Sequence, residues 1–205
     1  MIIRKLHLWV LGVVCAFVLT SGVAGAEMKR YEIDAEHSAI GFSIPHMTVS
    51  NVRGQFTDVS GFVELDPDSK HVKTVEATIK AATINTLHEK RDSHLRSPDF
   101  LDVEKYPTMT YKLKSYRKTG DTFTAMGDFT LHGVTKEVTL IGRFIGVTKD
   151  PGGNSRAGFT ASGRINRQEF GIQFNKTLDN GGMIVGDEVT ILLDVECVRA
   201  KTSAP

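Results

Sequence analysis

The side chains best suited to chemistry crowd into one stretch, Thr83 to Pro107. It gathers Asn85, Arg91, Asp92 and His94 between two apolar runs. Arginine supplies a fixed cation with forked donors, and histidine a donor that switches near neutral pH. Such groups suit a phosphate, carboxylate or carbonyl. Seven histidines raise the question of a metal. His88 and His94 are six apart, about 240° around a helix. His37 and His46 lie roughly 30 Å apart on an extended strand, on opposite faces unless Pro45 bends the chain. No His-x-x-x-His or Cys-x-x-Cys pattern is present. Neither a metal nor another cofactor is expected. Ser38 follows His37, but strand neighbours point to opposite sides. There is no Gly-x-Ser-x-Gly elbow, and Gly152-Gly153 belongs to a turn rather than a phosphate loop. Any two of the 24 acids could meet, yet nothing selects a pair. No catalytic residue is assigned.

The elements around this stretch are strands. Ile40, Phe42 and Ile44 alternate with small or polar residues, and so do Val75 to Ala81, Met109 to Leu113 and Phe123 to Leu131. Val138 to Phe144, Phe159 to Ile165 and Val189 to Cys197 continue the pattern. Each run puts one face in apolar surroundings and one in water. With Val52 to Leu65 this makes about eight strands. Asp66-Pro67-Asp68-Ser69, Thr119-Gly120-Asp121, His132-Gly133, Asp150 to Asn154 and Asn180-Gly181-Gly182 are turn signals. Connections this short favour antiparallel neighbours. Gly54 and Ser60-Gly61 read as bends at barrel corners.

The apolar faces carry Ala77, Ala81, Ala125, Gly127, Gly142, Ala161 and Gly163. A barrel of eight strands either fills with side chains or holds one ligand. Small residues inside leave volume open, or they let an opposite wall or helix approach. Thr86 and Glu89 have capping-box spacing. A helix from Leu87 to about Arg96, stopped by Pro98, would align Leu87, Arg91, His94 and Leu95. The two leucines would plug a barrel mouth while Arg91 and His94 face a head group. The alternative is an exposed stripe with Arg91 paired to Asp92 or Asp99.

The chain begins with a basic Arg4-Lys5, an apolar Leu8 to Leu19 and an Ala24-Gly25-Ala26 site, the layout of a cleaved export signal over 1–26. That run is short for a membrane span; an uncleaved anchor is the alternative. Residues 27–199 form one domain, and 200–205 a disordered tail. Losing Arg4 and Lys5 changes the formal charge from +1 to −1, which gives nucleic acid no purchase. Cys197 is in phase with Val189, Ile191, Leu193 and Val195, as a buried small hydrophobe would be.

Several blocks now read together: YEIDAEHSAIGFSIPHM at 31–47, NVRGQF at 51–56, INTLHEKRDSHLRSPDFLDVEKYPTMTY at 84–111, GDFTLHGVTKEVTL at 127–140 and INRQEFGI at 165–172. The chain closely resembles the YceI-like family of exported lipid- and polyisoprenoid-binding proteins. The resemblance implies a mainly β fold, an extended eight-stranded antiparallel lipocalin-like barrel with a helical insert near the mouth. It implies a periplasmic carrier, not an enzyme, for a long-chain isoprenoid or a comparable quinone or fatty amide. Arg91, Asp92, His94, Arg53, His37, Ser38 and His46 match family motifs, and with Asn85 they are the candidate head-group contacts. The tail would thread among Phe42, Ile44, Phe56, Phe62, Ile79, Met109, Tyr111, Phe129, Phe144 and Phe159. Exchange at a membrane surface and pairing into a homodimer accompany this reading. The rivals are an enzyme acting on an isoprenoid or quinone, and a stress-related interaction protein with a packed barrel.

Overall fold

The computed structural model describes residues 27–177 and 182–200. The expected export signal (1–26), the turn at Asn180-Gly181 and residues 201–205 of the expected tail lie outside the described residues.

Among the described residues, eleven strand segments build eight walls. They are β1 (Lys29–Ile33), β2 (Ala39–His46), β3 (Ser50–Phe56), β4 (Val59–Asp66), β5 (His71–Lys80), β6 (Ile84–Asn85), β7 (Thr108–Thr119), β8 (Thr122–Leu131), β9 (Val134–Lys149), β10 (Ser155–Asn166) and β11 (Glu188–Arg199). Three walls are each bent into two pieces: β1 with β2, β3 with β4, and β5 with β6. The bends fall at a 3-10 turn (Ala35–His37), at Thr57-Asp58 and at a second 3-10 turn (Ala81–Thr83). The second bend lies between Gly54 and Gly61, as the glycines suggested. The upper pieces pair as β11–β2–β3–β6. The lower ones run β11–β1–β4–β5, then β7 to β10 and back to β11. All these pairs are antiparallel, and the pairing of β1 with β11 closes the ring.

The one α-helix among the described residues, α1 (Glu89–Arg96), lies between β6 and β7. It starts later than its capping box suggests. His88 is the cap, its Nδ1 accepting the Arg91 N–H at 3.3 Å. Leu87 holds a left-handed φ of 62° and is 94% exposed, so it plugs nothing.

Three bulges gather at the end opposite α1. Lys73, Lys114 and Ile145 are each skipped by the register of their partner strand. A bulge adds twist and bends its strand, and here three of them draw the barrel shut. Tyr31, Val63, Leu65, Val72, Ala157 and Cys197 fill that closed end. Cys197 has no exposed surface, and burial pushes its thiol up to about 12.

Arg156 ties the outside of this end. Its guanidinium donates to Asp34 at 2.7 Å, Asp150 at 2.9 Å and Glu196 at 2.5 Å. The Arg156 hydrogen bond holds Asp34 down at about 2; Asn154 and then Arg156 do the same for Asp150. Both carboxyls titrate lower folded than unfolded. Their stabilisation is therefore complete above the ordinary carboxylate range and is lost as pH falls through about 2. Arg156→Met should lower the melting temperature by several degrees at pH 7, and the gap to wild type should close as pH falls from about 4 to 2. A gap independent of pH, in thermal melts across that range, would show that the guanidinium acts through packing alone.

Candidate functional site

The barrel encloses a cavity of about 440 Å³, within the size range of small-molecule sites. Of its lining side chains only those of His46, Arg91, His94, Tyr111, Tyr116 and Arg167 carry nitrogen or oxygen. Inward-facing Phe42, Phe56, Tyr111, Phe159, Ile191 and Leu193 are only partly buried, although they point away from bulk water. In a close-packed core such side chains would be covered. Their free surface faces the void.

The small residues divide by type. Ala77, Ala125 and Ala161 line the void and leave it open. The glycines accept neighbours. A Cβ on Gly127 would stand 2.6 Å from Tyr111 Cζ, one on Gly142 2.6 Å from Phe123 Cζ, and one on Gly163 2.8 Å from Leu140 Cδ2. Side chains of the adjacent strand occupy the space a Cβ would need there. Ala81 is buried in its turn and does not border the cavity.

α1 fills the place where β6 and β7 fail to pair. Asp92 is 4% exposed and accepts from the Thr86 backbone N–H at 2.9 Å and the Thr86 hydroxyl at 2.5 Å. Burial alone would raise the Asp92 pKa, but the two Thr86 hydrogen bonds and the nearby Arg96 and Arg91 charges together hold it below the usual carboxylate range. Arg91 donates through Nε to the Thr86 hydroxyl at 2.7 Å and through Nη2 to the Thr86 carbonyl at 2.8 Å. Arg96 reaches back to the carbonyls of Ala82 and Ile84. The helix is thus bolted to the end of β6, with Arg91, His94 and Leu95 bordering the cavity.

Beside them stands an aromatic cluster. The His94 ring is edge-on to Phe100 at 5.0 Å and to Phe174 at 4.9 Å, and its Nε2 lies 2.8 Å from Asp99. Arg167 fastens down the backbone around Phe174 and around Val185. That guanidinium, 3% exposed, donates to the carbonyls of Ile172, Phe174, Val185 and Gly186 and to Asp187. The backbone of Val185 bridges that of His46 at the tip of β2, which brings His46 to the same mouth.

A family model for a YceI-like domain matches residues 31–197. The chain belongs to the YceI-like family. Protein YceI of Escherichia coli is 38% identical over 186 residues, covering 91% of this chain and 94% of that one. The solved YceI protein of Campylobacter jejuni shares 33% identity with a TM-score of 0.67, covering 77% of this chain and 90% of that one. A polyisoprenoid-binding domain from Saccharophagus degradans, at 12% identity, has a similar fold with a TM-score of 0.62, over 85% of this chain and all of that domain.

Within this YceI-like barrel the structure gathers Arg91, His94 and His46 at one mouth. Five other candidate head-group residues lie elsewhere. Arg53 is exposed on the outer face of β3. Asn85 turns outward, its Oδ1 taking the Leu87 N–H at 2.8 Å. Asp92 is enclosed against Thr86. His37 and Ser38 are at the far end, His37 beside Asp34 at 2.9 Å and Ser38 bonded to the Glu196 backbone. Of the candidate tail contacts, Phe42, Ile44, Phe56, Ile79, Met109, Tyr111, Phe129 and Phe159 line the cavity. Phe62 does not: it faces out beneath the Arg30 guanidinium, 3.4 Å from its ring centroid. Phe144 sits behind Phe159, 5.0 Å between centroids, in the closed end.

Asp34, His37 and Glu196 bring possible ligand atoms within 4.8 Å of one another, the one such group among the described residues. Arg156 already donates to both acids, so a cation occupies the position a metal would need. Alternation alone did not single out Phe100, Phe174, Tyr116 or Arg167. Arg167 carries a legible signal, as the arginine of an Asn-Arg-x-x-Phe-Gly turn that follows a strand.

Thr86→Val should take the hydroxyl donor from Asp92 and the Nε acceptor from Arg91, leaving each with its bond to the Thr86 backbone. The expected loss in urea denaturation is about 1–3 kcal/mol. An unchanged midpoint would mean that the Thr86 hydroxyl does not hold the helix in place.

Proposed function

We propose that this chain is an exported carrier that encloses a long-chain isoprenoid or a similar amphiphile in its barrel. The observation that carries the reading is the cavity itself: apolar along its walls, with its cationic and imidazole groups bordering the helix end. Burying hydrocarbon contributes roughly 0.8 kcal/mol per CH₂. A tail of several prenyl units would by that rule exceed the practical ceiling of about −18 to −21 kcal/mol. Competition from membrane and loss of tail freedom must offset most of it. Tail burial then drives binding, while Arg91, His94 and His46 choose the head by hydrogen bonding to a phosphate or carbonyl. A quinone or a fatty amide presents the same combination of tail and acceptor. The similar fold of the polyisoprenoid-binding domain from Saccharophagus degradans supports the isoprenoid.

Tyr111, which faces the void, favours binding over catalysis. Burial, with Glu137 adding, pushes Tyr111 up to about 12, so it is a neutral phenol rather than a base. A packed-barrel interaction protein is disfavoured by the void.

Native mass spectrometry of protein purified from its own host, followed by organic extraction, tests the proposal. A co-purified lipid is expected; ligand-free protein that also takes up none of these lipids would overturn it. Filling the lumen with Ala125→Leu and Ala161→Leu should cut lipid affinity at least tenfold while the melting temperature holds or rises. Replacing Arg91 and His94 together by Ala should alter head-group preference more than tail affinity. The reverse pattern in competition binding would remove these two residues from the head-group role.

A further inference from the structure

The wall between β5 and β7 is incomplete. Their ladder covers only Glu76 to Lys80 against Thr108 to Lys112. Past Glu76, β5 runs on to His71 paired with β4 alone, and past Lys112, β7 runs on to Thr119 paired with β8 alone. The Lys114 bulge stands two residues beyond the last shared pair. Lys114 Nζ is held 3.3 Å from Asp128 and 3.0 Å from Glu137, on the β8 and β9 side. Bulge and ion pairs together pull β7 away from β5. Side chains alone close the gap, chiefly Val72, Val75, Leu113 and Tyr116, and three of the four also line the cavity.

Tyr116 is the weak member of this seal. Its ring rests against Phe123 at 5.3 Å and edge-on to His71 at 5.9 Å. Its hydroxyl is buried, and among the described residues it is the one buried side-chain polar atom with no hydrogen-bond partner. A buried hydroxyl without a partner is destabilising. Rotating the side chain outward would hydrate it and would break no backbone hydrogen bond. Opening this gap therefore costs less than parting any laddered pair of strands.

We infer that the gap between β5 and β7 is a second passage, gated by Tyr116, through which the far end of a chain longer than the cavity leaves the barrel. The inference rests on the lipid-carrier reading and narrows its ligand class. A single slender chain, such as a linear polyprenyl tail, can thread from mouth to gap. A twin-tailed lipid cannot.

The test uses three-unit and eight-unit prenyl monophosphates, each carrying a diazirine at the chain terminus, with binding read by native mass spectrometry and adducts by peptide mapping. The eight-unit probe should label the exposed side chains that border the gap, Lys73, Ser115 and Arg117. The three-unit probe should label cavity residues only. Tyr116→Phe removes the unpartnered hydroxyl and tightens the seal. It should reduce the share of long-probe adducts found on Lys73 and Ser115 fivefold or more, compared at equal amounts of bound long probe. Long-probe adducts confined to the cavity or the mouth would overturn the passage and leave the carrier reading standing. Failure of both probes to bind would overturn the two together.

Discussion

A sheet with one apolar face must hide that face and also satisfy the backbone groups along both of its edges, and in this chain both demands are met at a single seam. Tyr31, Glu32 and Ile33 pair with Arg199, Val198 and Cys197, the two ends of the described chain. Without that pairing β1 and β11 would both present bare edges at the closed end. With it, the inward side chains of the closed end are cut off from bulk water. The interior residues are then too small to meet one another across the lumen, so closure produces a void instead of a core. The binding space is thus a by-product of topology and of three alanines, Ala77, Ala125 and Ala161.

Polarity is distributed along the axis in a way that follows from the same topology. One end is sealed by a dry cluster beneath the Arg156 network. The other receives α1, because β6 is too short to carry the wall on to β7. Thr86 organises that end by donating to Asp92 and accepting from Arg91 at once. A buried carboxylate is tolerated there because it accepts two hydrogen bonds from Thr86. Its consequence is positional: it fixes the helix, and the helix sets Arg91 and His94 at the rim.

The alternating runs made the barrel legible, because a period of two marks a half-buried strand without ambiguity. Phe42, Ile79 and Phe129 could be assigned to the interior for that reason. Legibility failed wherever an extra residue shifted the phase. The bulge at Lys114 puts Tyr116, not Ser115, on the inner face, and the one at Ile145 sits beside Phe144 in the closed end. Short pieces such as β1 and β6 lacked enough residues to show a period. In the helix, a proper capping-box spacing lost to tertiary demand: Thr86 was needed by Asp92, and His88 took the cap. Arg53, His37 and Ser38 matched motifs without reaching the cavity, because a motif records neighbours in the chain and not which side of a wall each residue faces.

Cys197 has a consequence of its own. It is the one cysteine among the described residues, and burial keeps its sulfur protonated at any ordinary pH. Alkylating agents and small disulfides react with thiolate, so they meet this sulfur only after the dry cluster around it has come apart. The chain thereby carries an internal timer for events at its base: the rate at which the thiol is modified reports how often that base loosens, independently of anything that happens at the rim.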